Sequence, residues 1–259
     1  MGNTMMGRRG VVWKTPSISA DGLKNFACVM MMVQTIGISI VEHGLIKIDQ
    51  YTQSELSQAM AEDGRLMMLA GVGSIMQLLG GMAVPIFAFL LVEGFKSTSS
   101  YRNYLLTMMV FAVLSEVPYD LANSGKWWDL SSQNALVTMT ICLLMLYFLS
   151  MIEGAKGVVG RFGKIGIVLC ALVWATLFKS NCGLAMVLLT AIFYLLYTRN
   201  VLKTILGILV SLLYVTGPLS FYGIWCYTGE RKNKIPKYAY YVFYSLHLLA
   251  AGMIMKVFL

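Results

Sequence analysis

The sequence contains little charge, since only 12% of its 259 residues are Asp, Glu, Lys or Arg. A soluble domain carries about 25% charged residues, so this composition excludes a surface that water wets all round. The five cysteines are scattered and none has the spacing of metal ligands, which argues against a cysteine-based metal site. The sequence also lacks a phosphate-binding glycine loop, a zinc-binding histidine pair and a nucleophile elbow. It therefore indicates no enzyme class that is recognised by a single local motif.

Long apolar runs are present instead, and 58% of the residues are hydrophobic. Several runs approach the about 20 residues that cross a bilayer as a helix. They lack the alternation of a β-strand and are rich in Leu, Met, Ala and Gly, so we expect helices rather than a barrel. The prediction is an all-α, polytopic integral membrane helical bundle of about eight or nine transmembrane helices. The predicted crossings are 23–41, 66–91, 104–122, 135–152, 165–178, 183–197, 204–228 as two short segments, and 238–259.

Positive charge indicates how the bundle is oriented. The formal net charge is +8, and Lys and Arg collect in the cytoplasmic loops of membrane proteins. We predict a basic cytoplasmic segment over 1–22 and a single transmembrane domain over 23–259. The basic loop at 231–237 also reaches the cytoplasm if the preceding run is broken at Gly217 and Pro218. Because no basic domain lies outside the helices, the expected partner is the lipid bilayer and not nucleic acid.

Both histidines are candidate catalytic residues. His247 lies in the last predicted crossing, where an ionisable side chain is costly to bury and is a functional candidate by default. His43 follows the first crossing, next to Glu42, and could act as a general base near neutral pH. Two simpler interpretations stay open. His247 could lock two helices through a hydrogen bond, and His43 could be an interfacial loop residue.

Five polar residues are candidates for substrate binding. Glu93 lies at the inner end of the second crossing, and Glu116 and Asp120 are four residues apart on one face of the third. Two carboxylates at that spacing could bind a cation or an amine, and salt bridges to Lys or Arg at helix ends are the alternative. Gln133 and Asn134 begin the fourth crossing, where capping of the helix could by itself explain the asparagine.

A compact basic patch and a broken helix complete the set of candidates. Arg231, Lys232 and Lys234 could hold the phosphates of a donor such as coenzyme A, and ordinary positive-inside charge is the alternative. Gly80, Gly81 and other glycines interrupt the second crossing. Such breaks are tolerated where neighbouring helices or a cavity satisfy the freed backbone groups, so we expect this helix to bend next to a pocket.

Several stretches, in this order, resemble one known family. They are LKNFA at 23–27, GGMAVPIFAFLLVEGF at 80–95, the segment 101–106, SEVPYD at 115–120, QN at 133–134, YTGERK at 227–232 and FYSLHL at 243–248. Together they resemble the TraX family, the conjugative pilin acetylase-like membrane proteins of bacteria. The resemblance implies an acyltransferase-like fold in the bacterial inner membrane. It also implies acetyl transfer from acetyl-coenzyme A (acetyl-CoA), as donor substrate on the inner side, to an amine or hydroxyl of a small molecule or a protein.

The sequence departs from the family pattern at three places. Where the family usually has Asp-His followed shortly by Gly, this chain has Gln34, Thr35 and Gly37. Where the family usually has an arginine, this chain has Gly81. Where the family has an aromatic-Gly element, this chain has the sequence SNCG at 180–183. Neither Gln34 nor Thr35 titrates near neutral pH. His43 follows the same helix and could substitute, but it lies about 12 Å further along it, so this requires a site nearer the outer surface. A catalytically inactive membrane partner or assembly protein is therefore the alternative function, and a small transporter with broken helices is a lesser one.

Overall fold

The structure is a computed structural model that describes residues 17–155, 157–230 and 235–258. Over these residues it is built from helices, without strands longer than isolated bridges. Its α-helices are α1 (Ala20–Thr35), α2 (Gln53–Glu62), α3 (Gly64–Gly80), α4 (Ala83–Ser97), α5 (Tyr101–Leu114), α6 (Glu116–Ser124), α7 (Ala135–Met151), α8 (Gly157–Leu177), α9 (Gly183–Leu195), α10 (Asn200–Ser211), α11 (Ser220–Trp225) and α12 (Lys237–Phe258).

The lengths of the apolar helices support the prediction of a membrane-spanning helical protein. Four described helical stretches are long and apolar enough to cross a membrane, and a bent pair raises the number to five. They are Ala20–Ile46, Gly64–Ser97, Gly157–Leu177 and Tyr238–Val257, with α5 and α6 as the bent pair. The helices α7, α9 and α10 are apolar but have only 17, 13 and 12 residues. A straight crossing needs about 20 residues, so length alone establishes fewer crossings than the predicted eight or nine.

The first helix is longer than predicted. Ser19 caps its start by accepting a hydrogen bond from the Gly22 N–H at 3.3 Å, and a π-helix (Ile36–Ile46) continues it beyond Thr35. The prediction that His43 lies in a loop beyond the first crossing is therefore wrong. The charge of Glu42 ends the apolar run in the sequence, but the helix continues because the Gln77 side chain of α3 donates a hydrogen bond to this carboxylate.

A short exposed helix follows on the far side of that π-helix. Thr52 caps α2, its backbone N–H donating to Glu55 Oε2 at 2.8 Å while its hydroxyl accepts from the Glu55 N–H. This reciprocal pair is a capping box, which satisfies two backbone donors at once. The hydrogen bonds from Thr52 hold the pKa of the Glu55 carboxyl below its usual value.

The predicted second crossing is interrupted, as its glycines indicated. α3 ends at Gly80 and α4 begins at Ala83, so the break falls on residues 81 and 82. The Gln34 side chain of α1 packs directly on Gly80, and Tyr214 packs on Gly81. A side chain at either glycine would collide with these neighbours, so the absence of side chains at the break allows α1 and the turn after α10 to approach it closely.

The third predicted crossing is bent by 41° between α5 and α6. Pro118 lies in the first turn of α6 and cannot donate the backbone hydrogen bond that a continuous helix would direct to Leu114. At the bend, the Ser115 hydroxyl donates to the Phe111 carbonyl at 2.6 Å. The same hydroxyl lies 2.7 Å from the hydroxyl of Ser245 on α12. The bend is therefore fixed both by the local sequence and by a contact between helices.

Residues 200–228 leave one end of the bundle and return to it. α10 is followed by a 3₁₀ turn (Gly217–Leu219) and by α11, which has only 6 residues. The chain then pairs Tyr227 with Ile18 beside the start of α1. The predicted break at Gly217 is present. With 12 and 6 residues, α10 and α11 are each shorter than the about 20 residues of a straight crossing, so their lengths do not by themselves establish the two short crossings that the sequence predicts.

The two ends of the bundle can be identified by their lysines. At the end that we call the Lys24 end, Lys24 lies 5.3 Å from the ring centre of Tyr240, and Lys96 lies 4.4 Å from that of Tyr197. At the opposite end, Lys256 lies 5.0 Å from the ring centre of Trp127. The core between the ends is formed mainly by α4, α7 and α9, while α5 and α8 present apolar side chains outward.

Candidate functional site

A small cavity of about 90 Å³ lies between α1, the start of α4, α6 and the start of α9. It adjoins the break between α3 and α4, where the sequence predicts a pocket. Apolar side chains form much of its wall, and its polar lining residues are Gln34, Thr35, Ser39, Tyr119, Asn123, Asn181, Cys182 and Tyr244. We call it the smaller cavity.

His247 and Thr35 meet beside the smaller cavity. Nε2 of His247 lies 3.2 Å from the Thr35 hydroxyl, and Nδ1 lies 2.9 Å from the carbonyl oxygen of Phe243. A carbonyl only accepts, so in the neutral ring the proton is on Nδ1 and Nε2 directs its lone pair at Thr35. The rings of Phe243 and Tyr244 pack on the imidazole and hold its plane. The structure thus joins a predicted catalytic residue to a position where the sequence departs from the family.

Of the other two departures from the family pattern, the SNCG element at 180–183 contributes to the wall of the same cavity, and Gly81 lies in the neighbouring break between α3 and α4. Asn181 donates to the Tyr119 hydroxyl at 3.2 Å, and the Cys182 thiol donates to the Asn181 side-chain oxygen at 2.9 Å. Cys182 has a left-handed backbone conformation with φ 59°, which aims its side chain back at this network. Sequence reasoning did not identify Tyr119 or Asn181 as candidates, and only the convergence of the three departures could have indicated them.

The buried carboxylates of α6 belong to a separate cluster. Asn134 caps α7 by accepting from the Leu136 N–H at 2.9 Å, and its amide donates to the Ala112 carbonyl at 2.8 Å and to Glu116. The other Glu116 oxygen has no hydrogen-bond partner among the described residues. Asp120 accepts from the Asp129 N–H at 2.9 Å. The asparagine is therefore the helix cap that its type suggested, and the two carboxylates have different partners.

A larger cavity of about 470 Å³ opens at the Lys24 end. Lys24 and the predicted substrate-binding Glu93 lie in its wall, together with polar residues of the turn at 97–103 and tyrosines of α12. It shares four lining residues with the smaller cavity, namely Met31, Phe87, Ala135 and Tyr244. The two cavities therefore adjoin. Lys24 and Thr35, at opposite ends of this space, are about 16 Å apart along the axis of α1.

The remaining predicted site residues lie elsewhere. His43 lines neither cavity, and its Nδ1 is 2.7 Å from Asp49 Oδ2. Gln133 uses its backbone, whose carbonyl accepts from the Asn181 N–H at 2.9 Å. Arg231, Lys232 and Lys234 lie outside the described residues, although Glu230, just before them, accepts a hydrogen bond from the Ala20 N–H at 3.0 Å at the Lys24 end.

Comparison with known proteins gives one match. A family model described as TraX protein matches residues 19–255, which is most of the chain, and the chain therefore belongs to the TraX family. No curated protein and no solved structure matches it. The match includes every residue that lines the two cavities.

Proposed function

We propose that this member of the TraX family is a membrane acetyltransferase, which moves the acetyl group of acetyl-CoA to an amine or hydroxyl acceptor. The observation that carries the proposal is the pair of adjoining cavities, which lead from the charged Lys24 end to Thr35 and His247. A donor with a charged head and a long, thin arm that ends in the reactive thioester suits this shape. Coenzyme A thioesters have that form.

The charges at the Lys24 end support the placement of the donor head. Lys24 lies in the wall of the larger cavity, and Glu230 lies at the same end of the bundle. In the sequence, Arg231, Lys232 and Lys234 come directly after Glu230. Lys and Arg side chains bind phosphate through charge-assisted hydrogen bonds. We assign the coenzyme A phosphates to this basic patch, and its arm to the larger cavity, where Glu93 could orient the polar groups of the arm or of the acceptor.

The geometry of His247 supports its role in the chemistry. A hydroxyl or amine nucleophile must lose a proton as it attacks the thioester carbonyl, and a neutral imidazole nitrogen is a suitable base. Nε2 of His247 is the nitrogen without a proton, since Nδ1 donates to the Phe243 carbonyl. The chain therefore has an oriented base at the inner end of the proposed donor path.

The experiment that tests the proposal is calorimetry with acetyl-CoA on the detergent-purified full chain. We expect saturable binding that weakens at least tenfold in the double variant Arg231→Ala/Lys232→Ala and is retained in His247→Ala. The double variant Arg161→Ala/Lys164→Ala, which removes the same charge from another basic loop, is the matched control. Absence of binding at millimolar acetyl-CoA to protein that is verified as folded would overturn the proposal.

The topology that we propose for this activity is finer than the helix lengths establish. We place eight or nine helical segments of an acyltransferase-like bundle in a bacterial inner membrane, with the N-terminus and the Lys24 end in the cytoplasm. Lys and Arg at that end support this orientation through the positive-inside bias. Labelling of single cysteines introduced at Ser99 and at Trp128 with a membrane-impermeant maleimide tests it: only the second should react in intact cells.

A non-catalytic role is the second candidate, because one observation favours it. Gly81 stands where the resemblance places an arginine, and Tyr214 packs directly on it, so this position supplies no cation and has no room for a long side chain. Such a chain could serve as a membrane partner in assembly without transferring acetyl groups. Acetyl-CoA-dependent acylation that His247→Ala abolishes would exclude this candidate.

A further inference from the structure

We infer that Thr35 accepts the acetyl group first, as a covalent ester on its hydroxyl, and that His247 is the base that activates it. The inference rests on the proposed acetyl transfer and specifies its route. Its foundation is the 3.2 Å contact between Thr35 Oγ1 and His247 Nε2. A hydroxyl within hydrogen-bond reach of a base whose other nitrogen is fixed by an acceptor is the general arrangement of an activated nucleophile.

Three details of the contact fit that arrangement. The Phe243 carbonyl, 2.9 Å from Nδ1, holds the imidazole in the tautomer whose Nε2 can take a proton. Thr35 lines the smaller cavity, so its hydroxyl lies between the base and the space that the thioester would enter. The amide of Gln34 lines the same cavity and is the nearest side chain in sequence that could donate to a developing oxyanion.

The Thr35 hydroxyl has a second acceptor besides His247, which can hold its proton when no donor is bound. The Met31 carbonyl, one turn back in α1, lies 3.1 Å from Oγ1. A hydroxyl has a single proton, so Thr35 can donate to the Met31 carbonyl or to His247 Nε2 but not fully to both. Transfer of that proton toward His247 therefore requires rotation of the hydroxyl hydrogen alone, with both heavy atoms already in place.

The reaction balances as an ester exchange followed by a second transfer. Oγ1 attacks the thioester carbonyl as its proton moves to His247 Nε2; the carbon–sulfur bond breaks, and the thiolate leaves as coenzyme A thiol with the proton from His247. The amine or hydroxyl acceptor then attacks the Thr35 ester and passes its proton to Nε2. The carbon–oxygen bond to Thr35 breaks, and the proton returns to Oγ1.

The size of the smaller cavity favours two steps over direct transfer. A cavity of about 10–15 Å³ holds one water molecule. The smaller cavity, at about 90 Å³, therefore holds a group of a few heavy atoms. An acetyl group fits, whereas a coenzyme A arm and an acceptor together do not. Holding the acetyl group on Thr35 lets the donor leave before the acceptor enters.

The test is acid-quench labelling of the purified full chain with acetyl-CoA that has a radiolabelled acetyl group, followed by mass mapping of the labelled peptide. We expect the label on Thr35 in the wild type, and on the same position in Thr35→Ser, which keeps the hydroxyl. Thr35→Val keeps the shape without the hydroxyl and should lose the label. His247→Ala should slow labelling by about 10²–10⁴-fold, the usual contribution of a general base.

Thr140→Val is the matched control, because the Thr140 hydroxyl also donates to a carbonyl one turn back, at 2.8 Å from Leu136, but faces no histidine. It should label like the wild type. Acetyl transfer at the wild-type rate by Thr35→Val, or label on another residue, would overturn the inference and leave the acetyltransferase proposal intact. If the wild type binds no acetyl-CoA and releases no coenzyme A, the proposed function fails with it. Thr35→Ser keeps the test valid if Thr35→Val does not fold.

Discussion

Gly81 and Tyr214 are packed so closely that a Cβ atom on the glycine would lie 2.9 Å from the Cβ of the tyrosine. Gly81 belongs to the break between α3 and α4, and Tyr214 belongs to the turn after α10. The segment 200–228 therefore reverses direction where it packs against this break. The position where the resemblance places an arginine is here a glycine on which the base of a tyrosine side chain packs.

Restoring the family arginine should therefore destabilise the protein. Overpacking of a filled site costs about 1–3 kcal/mol, and we expect Gly81→Arg to lower the free energy of unfolding by that amount. Adding Tyr214→Gly should recover part of the loss, because it removes the Cβ atom that a side chain at residue 81 would meet. Thermal unfolding in detergent of the single and double variants gives the coupling energy. Gly71→Ala, at a helical glycine with open space around it, is the control and should be neutral or slightly stabilising.

The cap of α7 is predicted to be a main point of stability. Asn134→Ala would remove an acceptor from the start of the helix, at a cost of about 1 kcal/mol. It would also leave the buried Glu116 carboxylate without its amide donor, at about 1–3 kcal/mol more. Asn200→Ala, which removes an exposed asparagine whose side-chain oxygen accepts a hydrogen bond from Lys203 at 3.0 Å, should change stability little. Equal losses in the two variants would contradict this assignment.

Narrowing the junction of the two cavities should separate donor binding from transfer. Ala135 lines both cavities, and its backbone N–H donates to the Tyr244 hydroxyl at 3.2 Å. We expect Ala135→Leu to retain acetyl-CoA binding within a fewfold and to lower the transfer rate at least tenfold, because the thioester could not reach Thr35. Calorimetry and acetyl transfer are measured side by side. Ala250→Leu, on an exposed position of α12, should leave both unchanged.

The start of α2 should respond to acid. The folded-state pKa of Glu55 lies below its usual value of 4.5 because Thr52 donates to the carboxylate. A lowered folded-state pKa means that the stabilisation is complete above the ordinary value and is lost as pH falls through the lowered one. Backbone amides of α2, measured by hydrogen exchange and corrected for intrinsic rates, should thus lose protection below that pH. Glu55→Gln should weaken this pH dependence, and Glu62→Gln, at the other end of α2, should preserve it.

The sequence by itself determined the membrane-spanning helices and several of their local features. Unpaired backbone groups are so costly in lipid that the length and composition of an apolar run are enough to predict a helix. Pro118 at the bend of the third crossing, the glycine break at residue 81 and the asparagine at the start of α7 act through neighbouring backbone groups. Such features depend on few distant contacts and can be interpreted from the chain alone.

The tertiary structure decided which residues meet. Thr35 and His247 are 212 residues apart in the chain, and neither the π-helix that contains His43 nor its contact through Glu42 and Gln77 is indicated by the apolar pattern. In a water-soluble helix the polar side marks the face turned away from the core. Lipid is as apolar as a protein interior, so a membrane helix has no such mark, and the faces that pack together are chosen by small residues and by partners on other helices.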